Sequence, residues 1–209
     1  MNNVEKEKDE FSYININDYL STHDESGIGE NELIEILSDF VCPKNVDVEK
    51  FLKNSAIDFA KKNQSITYLV FTSEDATFVG YFTIALKPLI LNCQLVSKTA
   101  KKKLQRISEI DEETQSYMMS AYLIAQLGKN YDEEADKRIT GDELLSLALQ
   151  VISEIRYSVG GMVVFLEAER VDKLLNFYQN DTNGFKVFNT RVSKGKIEEH
   201  ELIQLLKIL

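Results

Sequence analysis

Apolar positions recur along this chain with two periods, and the switches between them mark out its elements. Residues 11–20 (FSYININDYL) alternate with period two and predict a first strand. The next stretch, 31–40, sets Leu33, Ile34, Leu37 and Phe40 at helical spacing with acids opposite. After Pro43, residues 47–62 repeat that pattern with Val48, Phe51, Leu52, Ile57 and Phe59, and Asp47 is the expected N-cap. ITYLVF (66–71) and TFVGYFTIAL (77–86) are β-branched and aromatic; the turn-forming residues 72–76 between them predict a hairpin. Lys87-Pro88 is expected to end its second strand. LILNCQLV then extends the sheet, and KTAKKKLQRISEIDEETQ is a charged connector with helical character. From Ala121 to Phe185 the order is strand (AYLIAQL), charged loop, helix (ITGDELLSLALQVI), strand (GGMVVFLEAE) and a short helix running into FYQNDTNGF. FKVFNT follows as a strand, and HELIQLLKIL fits either period.

Composition narrows the class. The 209 residues, 44% hydrophobic and 10% aromatic, suit one folded domain with a substantial core. No apolar run approaches the ~18 residues of a membrane span. MNNVEKEKDE lacks an apolar signal core, so a cytoplasmic protein with no membrane partner is expected. Cys42 and Cys93 have no CxxC or His neighbour, and His23 and His200 stand far apart, so free thiols and no metal site are expected. Charge is uneven: residues 1–35 hold ten acids against two bases, which accounts for −8 of the net −10. Residues 1–30 are therefore read as an acidic extension, disordered to about residue 10, and 31–209 as the folded domain.

Within the central unit, Thr140-Gly-Asp-Glu143 is a capping box, and Asp142 and Glu143 complement the helix dipole. A helix start directly after a strand and loop presents N–H groups that suit a pyrophosphate. Gly141 allows close approach there, and Lys137 and Arg138 add charge. Six acids against three bases between Lys129 and Glu143 oppose that use unless most of the acids face solvent.

Gly141, the paired Leu144-Leu145, Phe177-Tyr178 and Gly184-Phe185 occur in the order that resembles the GNAT superfamily of acetyl-CoA-dependent N-acetyltransferases. The phosphate loop departs from that pattern at Ile139, where a glycine is usual, and at Asp136, where Gln or Arg is usual. Phe40-Val-Cys42, residues 47–52, 67–70 and 79–85 further resemble the branch related to toxins of toxin–antitoxin modules.

The resemblance covers roughly residues 36–209. It implies an α/β (α+β) fold: one GNAT-like domain with a mixed, mostly antiparallel sheet flanked by helices, and central strands that splay. A mixed sheet ending in a strand also assigns HELIQLLKIL as a strand. The implied cofactor is acetyl-CoA. Leu127, Gly128 and Lys129 would hold its pantetheine arm, and Arg138, Ile139, Thr140, Gly141 and Asp142 its pyrophosphate. Tyr178 would be the general acid that protonates the departing thiolate. The implied reaction is acetyl transfer to a primary amine, on a small molecule or a protein, by direct attack. The alternatives are a weakened acyl-CoA-binding or regulatory protein, or a toxin that acetylates aminoacyl-tRNA. The resemblance also leaves room for a homodimer.

The sequence does not identify a general base; Glu167 and Glu169, ending the apolar strand, are candidates if they face the cleft, with solvated strand-end carboxylates as the alternative. The basic cluster Lys98, Lys101, Lys102, Lys103 and Arg106 is read as a solvated helix face, with an anion surface such as tRNA as the alternative. No aromatic interleaves it, and residues 36–209 are near −2, which argues against nucleic acid as a partner.

Overall fold

The computed structural model describes residues 10–21, 27–194 and 199–209. The elements are β1 (Phe11–Asn15), α1 (Ile16–Leu20), α2 (Glu30–Ser38), α3 (Val46–Asn54), α4 (Ala56–Lys61), β2 (Ile66–Thr72) and β3 (Phe78–Asn92). A 3₁₀ turn (Cys93–Leu95), α5 (Lys98–Leu104), β4 (Ile110–Asp111) and β5 (Ser116–Lys129) follow. The chain ends with α6 (Gly141–Val159), β6 (Val163–Glu169), α7 (Asp172–Gln179), β7 (Lys186–Lys194) and β8 (Glu199–Ile208). The strands form one mixed sheet in the order β1-β2-β3-β5-β6-β8-β7, with β4 paired to β5 off this path. β5 and β6 run parallel, whereas β1–β2, β2–β3, β4–β5, β6–β8 and β7–β8 are antiparallel. This is the fold class expected, and HELIQLLKIL is a strand.

By packing the chain divides into two compact units, residues 1–84 with 126–150 and residues 85–125 with 151–209. Each has its own apolar centre, the main source of its stability. In the first, Ile16, Leu33, Leu37, Phe40, Leu52 and Tyr81 are all essentially inaccessible to solvent. In the second, Leu91, Leu104, Tyr117, Val163, Phe165 and Phe188 fill that role. β3, β5 and α6 contribute residues to both units.

Four expectations are corrected. The alternation of residues 11–20 ends at Asn15, whose side chain accepts from the Asn17 N–H (2.9 Å) and caps α1. Residues 47–62 form two helices, broken at Ser55. There the cap of α3 is Asn45, not Asp47: the Asn45 side-chain Oδ1 accepts from Asp47 N (3.1 Å) and Val48 N (3.2 Å). Asp47 lies inside the first turn, where its charge meets the dipole instead. Pro88 does not end β3, which continues to Asn92. Pairing with β2 stops at Ile66↔Ile84, so the β2 side of β3 is an open edge past that point, where a residue without an N–H is tolerated. Residues 1–9 of the expected extension lie outside the described residues, while residues 11–20 supply β1 and α1.

Candidate functional site

The ladder between β5 and β6 consists of Tyr122↔Val164, Leu123↔Phe165 and Ile124↔Leu166. β5 nevertheless runs on to Lys129, so its last residues project beyond the parallel ladder. Gly128 is buried there, between half-buried Leu127 and Lys129. A Cβ on Gly128 would lie 2.5 Å from Val48 Cγ1 and 2.8 Å from Tyr81 Cε1, and one on Gly80 would lie 2.8 Å from the Gly128 carbonyl oxygen. These glycines are therefore required by close packing. The Tyr81 hydroxyl donates to the Val48 carbonyl (2.6 Å), fixing α3 against that point. Desolvation pushes the Lys129 ammonium below its ordinary pKa; Lys44 lowers it further, against the opposing pull of Asp136 and Glu143. Lys44 and Lys129 both approach the Tyr131 ring, at 4.2 and 5.7 Å from its centroid.

Immediately after β5, Asn130 is buried and makes contacts that sequence reasoning missed. Its Nδ2 donates to the Phe78 carbonyl (2.9 Å), its backbone N–H donates to the Val79 carbonyl (2.9 Å), and its Oδ1 accepts from Val41 N (2.9 Å). Tyr131 N also donates to the Val41 carbonyl (2.8 Å). The α2–α3 connection is held a second time by Glu49, which accepts from Cys42 N (2.7 Å).

The loop to α6 answers the charge conflict in part. Asp132, Glu133, Glu134 and Asp142 are exposed. Ile139 is a core residue with no accessible surface, and Ala135, Leu144 and Leu145 are also buried. The capping box forms as expected: Glu143 N donates to Thr140 Oγ1 (3.2 Å), and Glu143 Oε2 accepts from Thr140 N (2.9 Å) and Thr140 Oγ1 (2.8 Å). Among the described residues, the N–H groups of Ile139 and Gly141 make no backbone hydrogen bond. Lys137 adopts φ 68°, a left-handed conformation that is unusual for a lysine. Arg138 is committed elsewhere: its guanidinium contacts Asp75 Oδ2 (2.6 Å) and Thr77 Oγ1 (2.9 Å) in the β2–β3 turn. Chiefly through Arg138, and then through Thr72 and Thr77, the Asp75 carboxyl is held well below the usual carboxylate range.

Tyr178 lies in the other unit, one residue before the end of α7. Its ring meets Phe177 at 4.8 Å and Phe185 at 5.9 Å, both edge-on. Burial pushes the phenol up to about 12. The end of the helix is closed locally. Asn180 and Asn183 side chains both donate to the Phe177 carbonyl (2.8 Å each), and Phe185 N donates to the Tyr178 carbonyl (3.0 Å). Gly184 takes φ 68°, which glycine accepts at little cost. Lys207 Nζ donates to the Asn183 carbonyl (2.8 Å).

The eight expected cofactor residues, Leu127, Gly128, Lys129, Arg138, Ile139, Thr140, Gly141 and Asp142, thus share one unit, and Tyr178 belongs to the other. Glu167 is engaged by Arg191 (3.2 Å) and Gln204 (2.7 Å), and Glu169 is exposed. Lys98, Lys102 and Lys103 on α5 and Arg106 just after it are exposed, and Lys101 is half-buried. Cys42 and Cys93 are buried free thiols; His23 and the His200 side chain lie outside the described residues. Among the described residues no helix is long and apolar enough to cross a membrane.

A mixed sheet with a central parallel pair, followed through a loop by a capped helix, matches the fold that the resemblance leads one to expect. No family model matches the sequence, and no curated protein matches it either. Similar solved structures include AtaT complexed with acetyl-methionyl-tRNAfMet, at 17% identity over 93% of this chain and 94% of that one, with a TM-score of 0.59. A tyrosine-to-phenylalanine mutant of the AtaT toxin, bound to the C-terminus of the antitoxin AtaR and acetyl-CoA, is 16% identical over 96% and 94%, TM-score 0.55. NAA60 of Arabidopsis thaliana in complex with a bisubstrate analogue is 12% identical over 96% and 99%, TM-score 0.50. At such identities the likeness establishes the fold, one shared with a bacterial-toxin group and with a plant enzyme.

Proposed function

We propose that this chain is an acetyl-CoA-dependent N-acetyltransferase that passes the acetyl group to a primary amine by direct attack. The observation that carries this reading is the end of the β5–β6 ladder at Ile124↔Leu166, with β5 continuing through Leu127, Gly128 and Lys129. On this reading the β6 side of β5 past that point receives the pantetheine arm. The fit extends to the helix start: the Ile139 and Gly141 N–H groups are available for a pyrophosphate, and most acids of the loop face solvent.

Bound acetyl-CoA would supply an activated thioester. The chain's part is to orient it and to manage charge and protons. Backbone N–H groups of β5 near Leu127 to Lys129 would be the donors available to stabilise the negative charge that develops on the thioester oxygen. By the resemblance, Tyr178 would be the group that returns a proton to the leaving sulfur; its pKa, raised to about 12, keeps the hydroxyl protonated across the physiological range. Lys129, with a lowered pKa, adds positive charge beside the helix start without any covalent role. Glu167 is tied to Arg191 and Gln204, so it is not assigned as the general base.

A second acceptor reading is aminoacyl-tRNA. It is favoured by the AtaT complex, which holds an acetylated aminoacyl-tRNA, and by the exposed α5 bases. Calorimetric titration with acetyl-CoA tests the cofactor, and no heat at millimolar concentration would sink the proposal. Thiol release with small amines, peptides and charged tRNA then separates the acceptors. Binding without release on any of them would favour a regulatory acyl-CoA-binding protein.

A further inference from the structure

The loop 130–140 contains no glycine, yet on the reading above it must hold N–H groups at fixed positions. Glycine-rich loops reach that geometry through backbone freedom; this one has side-chain anchors. We infer that Asn130 and Asp75 are positioning residues that moor the two ends of this loop to the β2–β3 hairpin, and so preorganise it for the pyrophosphate of an acyl-CoA. The inference rests on the cofactor reading proposed above.

At the first end, Asn130 is 2% exposed and satisfied on both sides of its amide. It donates to the Phe78 carbonyl at the start of β3 and accepts from Val41 N and, at 3.2 Å, from Asp132 N. At the second end, the Asp75 carboxylate collects its neighbours. Oδ1 accepts from the Thr72 hydroxyl and from the Thr77 hydroxyl (2.9 Å), while Oδ2 receives Arg138. Thr77 N donates to Thr72 Oγ1 (2.9 Å), which makes the turn rigid before Arg138 reaches it. Between these moorings Ala135 and Ile139 are buried, so the stretch is held at its ends and through its middle. Arg138 therefore contributes orientation more than free charge. Because the anchors come from residues 52 and 63 positions away, the hairpin acts as the loop's scaffold. Preorganisation of this kind raises affinity by removing ordering costs at the moment of binding.

The test is acetyl-CoA affinity by calorimetry, with steady-state kinetics on an accepted amine, for wild type, Asp75→Asn, Arg138→Ala, the double variant and Asn130→Ser. Asp75→Asn should weaken acetyl-CoA about fivefold and raise its KM alike while kcat at saturation stays put, since no reacting group is touched. The double variant should be no weaker than Arg138→Ala, because Asp75 acts through that arginine. Asn130→Ser should raise KM in the same direction, and thermal melting of each variant reports whether it folds. A purely structural role would lower the melting temperature and leave affinity within about twofold, which overturns the inference. Additive losses for Asp75 and Arg138 would overturn it as well. If wild type binds no acetyl-CoA, the proposed function fails and the positioning role goes with it; wild-type binding with indifferent variants removes only the positioning role.

Discussion

The segment entering α6 and the segment leaving α7 perform comparable tasks by different means. Each must hold a few groups steady just beyond a regular element. Residues 130–142 are held from a distance, by Phe78, Val79 and Val41 at one end and by Asp75 and Thr77 at the other. Residues 177–185 are held mostly by themselves: Asn180 and Asn183 close the Phe177 carbonyl, Phe185 N closes that of Tyr178, and three rings pack edge-on. Local closure makes the tyrosine segment insensitive to change elsewhere. Remote anchoring makes the loop depend on the β2–β3 turn.

The largest effect that sharpens this contrast concerns Tyr178. Tyr178→Phe removes a proton donor and little else, because both rings fill the same space against Phe177 and Phe185. Turnover should fall about 100-fold or more, the usual worth of a general acid, while acetyl-CoA affinity holds. Its pKa of about 12 sets the pH behaviour. A raised tyrosine pKa keeps the proton in place, so the wild-type rate should show no loss from this group between pH 7 and 10. The matching stability contribution is present below the ordinary value of about 10 and is lost as pH rises toward 12. Full turnover in Tyr178→Phe would remove the residue from the mechanism.

Next in size are two glycines, Gly128 on β5 just before the first segment and Gly184 within the second. Gly128→Ala drives a methyl into Val48 and Tyr81, and overpacking of that kind costs about 1–3 kcal/mol. Gly184→Ala meets only Lys207 Nζ at 3.9 Å, so its cost is that of a left-handed residue, about 1 kcal/mol. Chemical denaturation of both variants should give the larger loss at Gly128. The reverse order would mean that the packing around β5 yields more readily than the turn after α7.

The same contrast explains how much could be read from the residues alone. Period and turn chemistry located the strands and helices, because those signals are local. The capping box and the Phe177-Tyr178, Gly184-Phe185 order were legible for that reason too. The cost of Pro88 depends on whether β2 lies alongside, which no window of sequence reports. Asn45 and Asp47 are both competent caps two positions apart, and only the backbone chooses between them. Asn130 and Asp75 carried no signal at all. Their meaning lies in contacts spanning 52 and 63 positions, and an isolated Asn or Asp in a loop reads as turn material.

The smallest effect lies at the capping box that opens α6. Thr140→Ala removes the hydroxyl that accepts from Glu143 N and donates to Glu143 Oε2, whereas the bond from Thr140 N to that carboxylate survives. Loss of a capping hydroxyl costs about 1 kcal/mol, and Thr140→Ser should recover nearly all of it because the oxygen returns to the same position. The check is thermal unfolding of the three proteins side by side. A melting temperature for Thr140→Ala equal to that of wild type would mean that Glu143 caps α6 through the backbone N–H alone. A drop rescued by serine would place the start of α6 with the tyrosine segment, stabilised by its own neighbours, and leave remote anchoring to the stretch that precedes it.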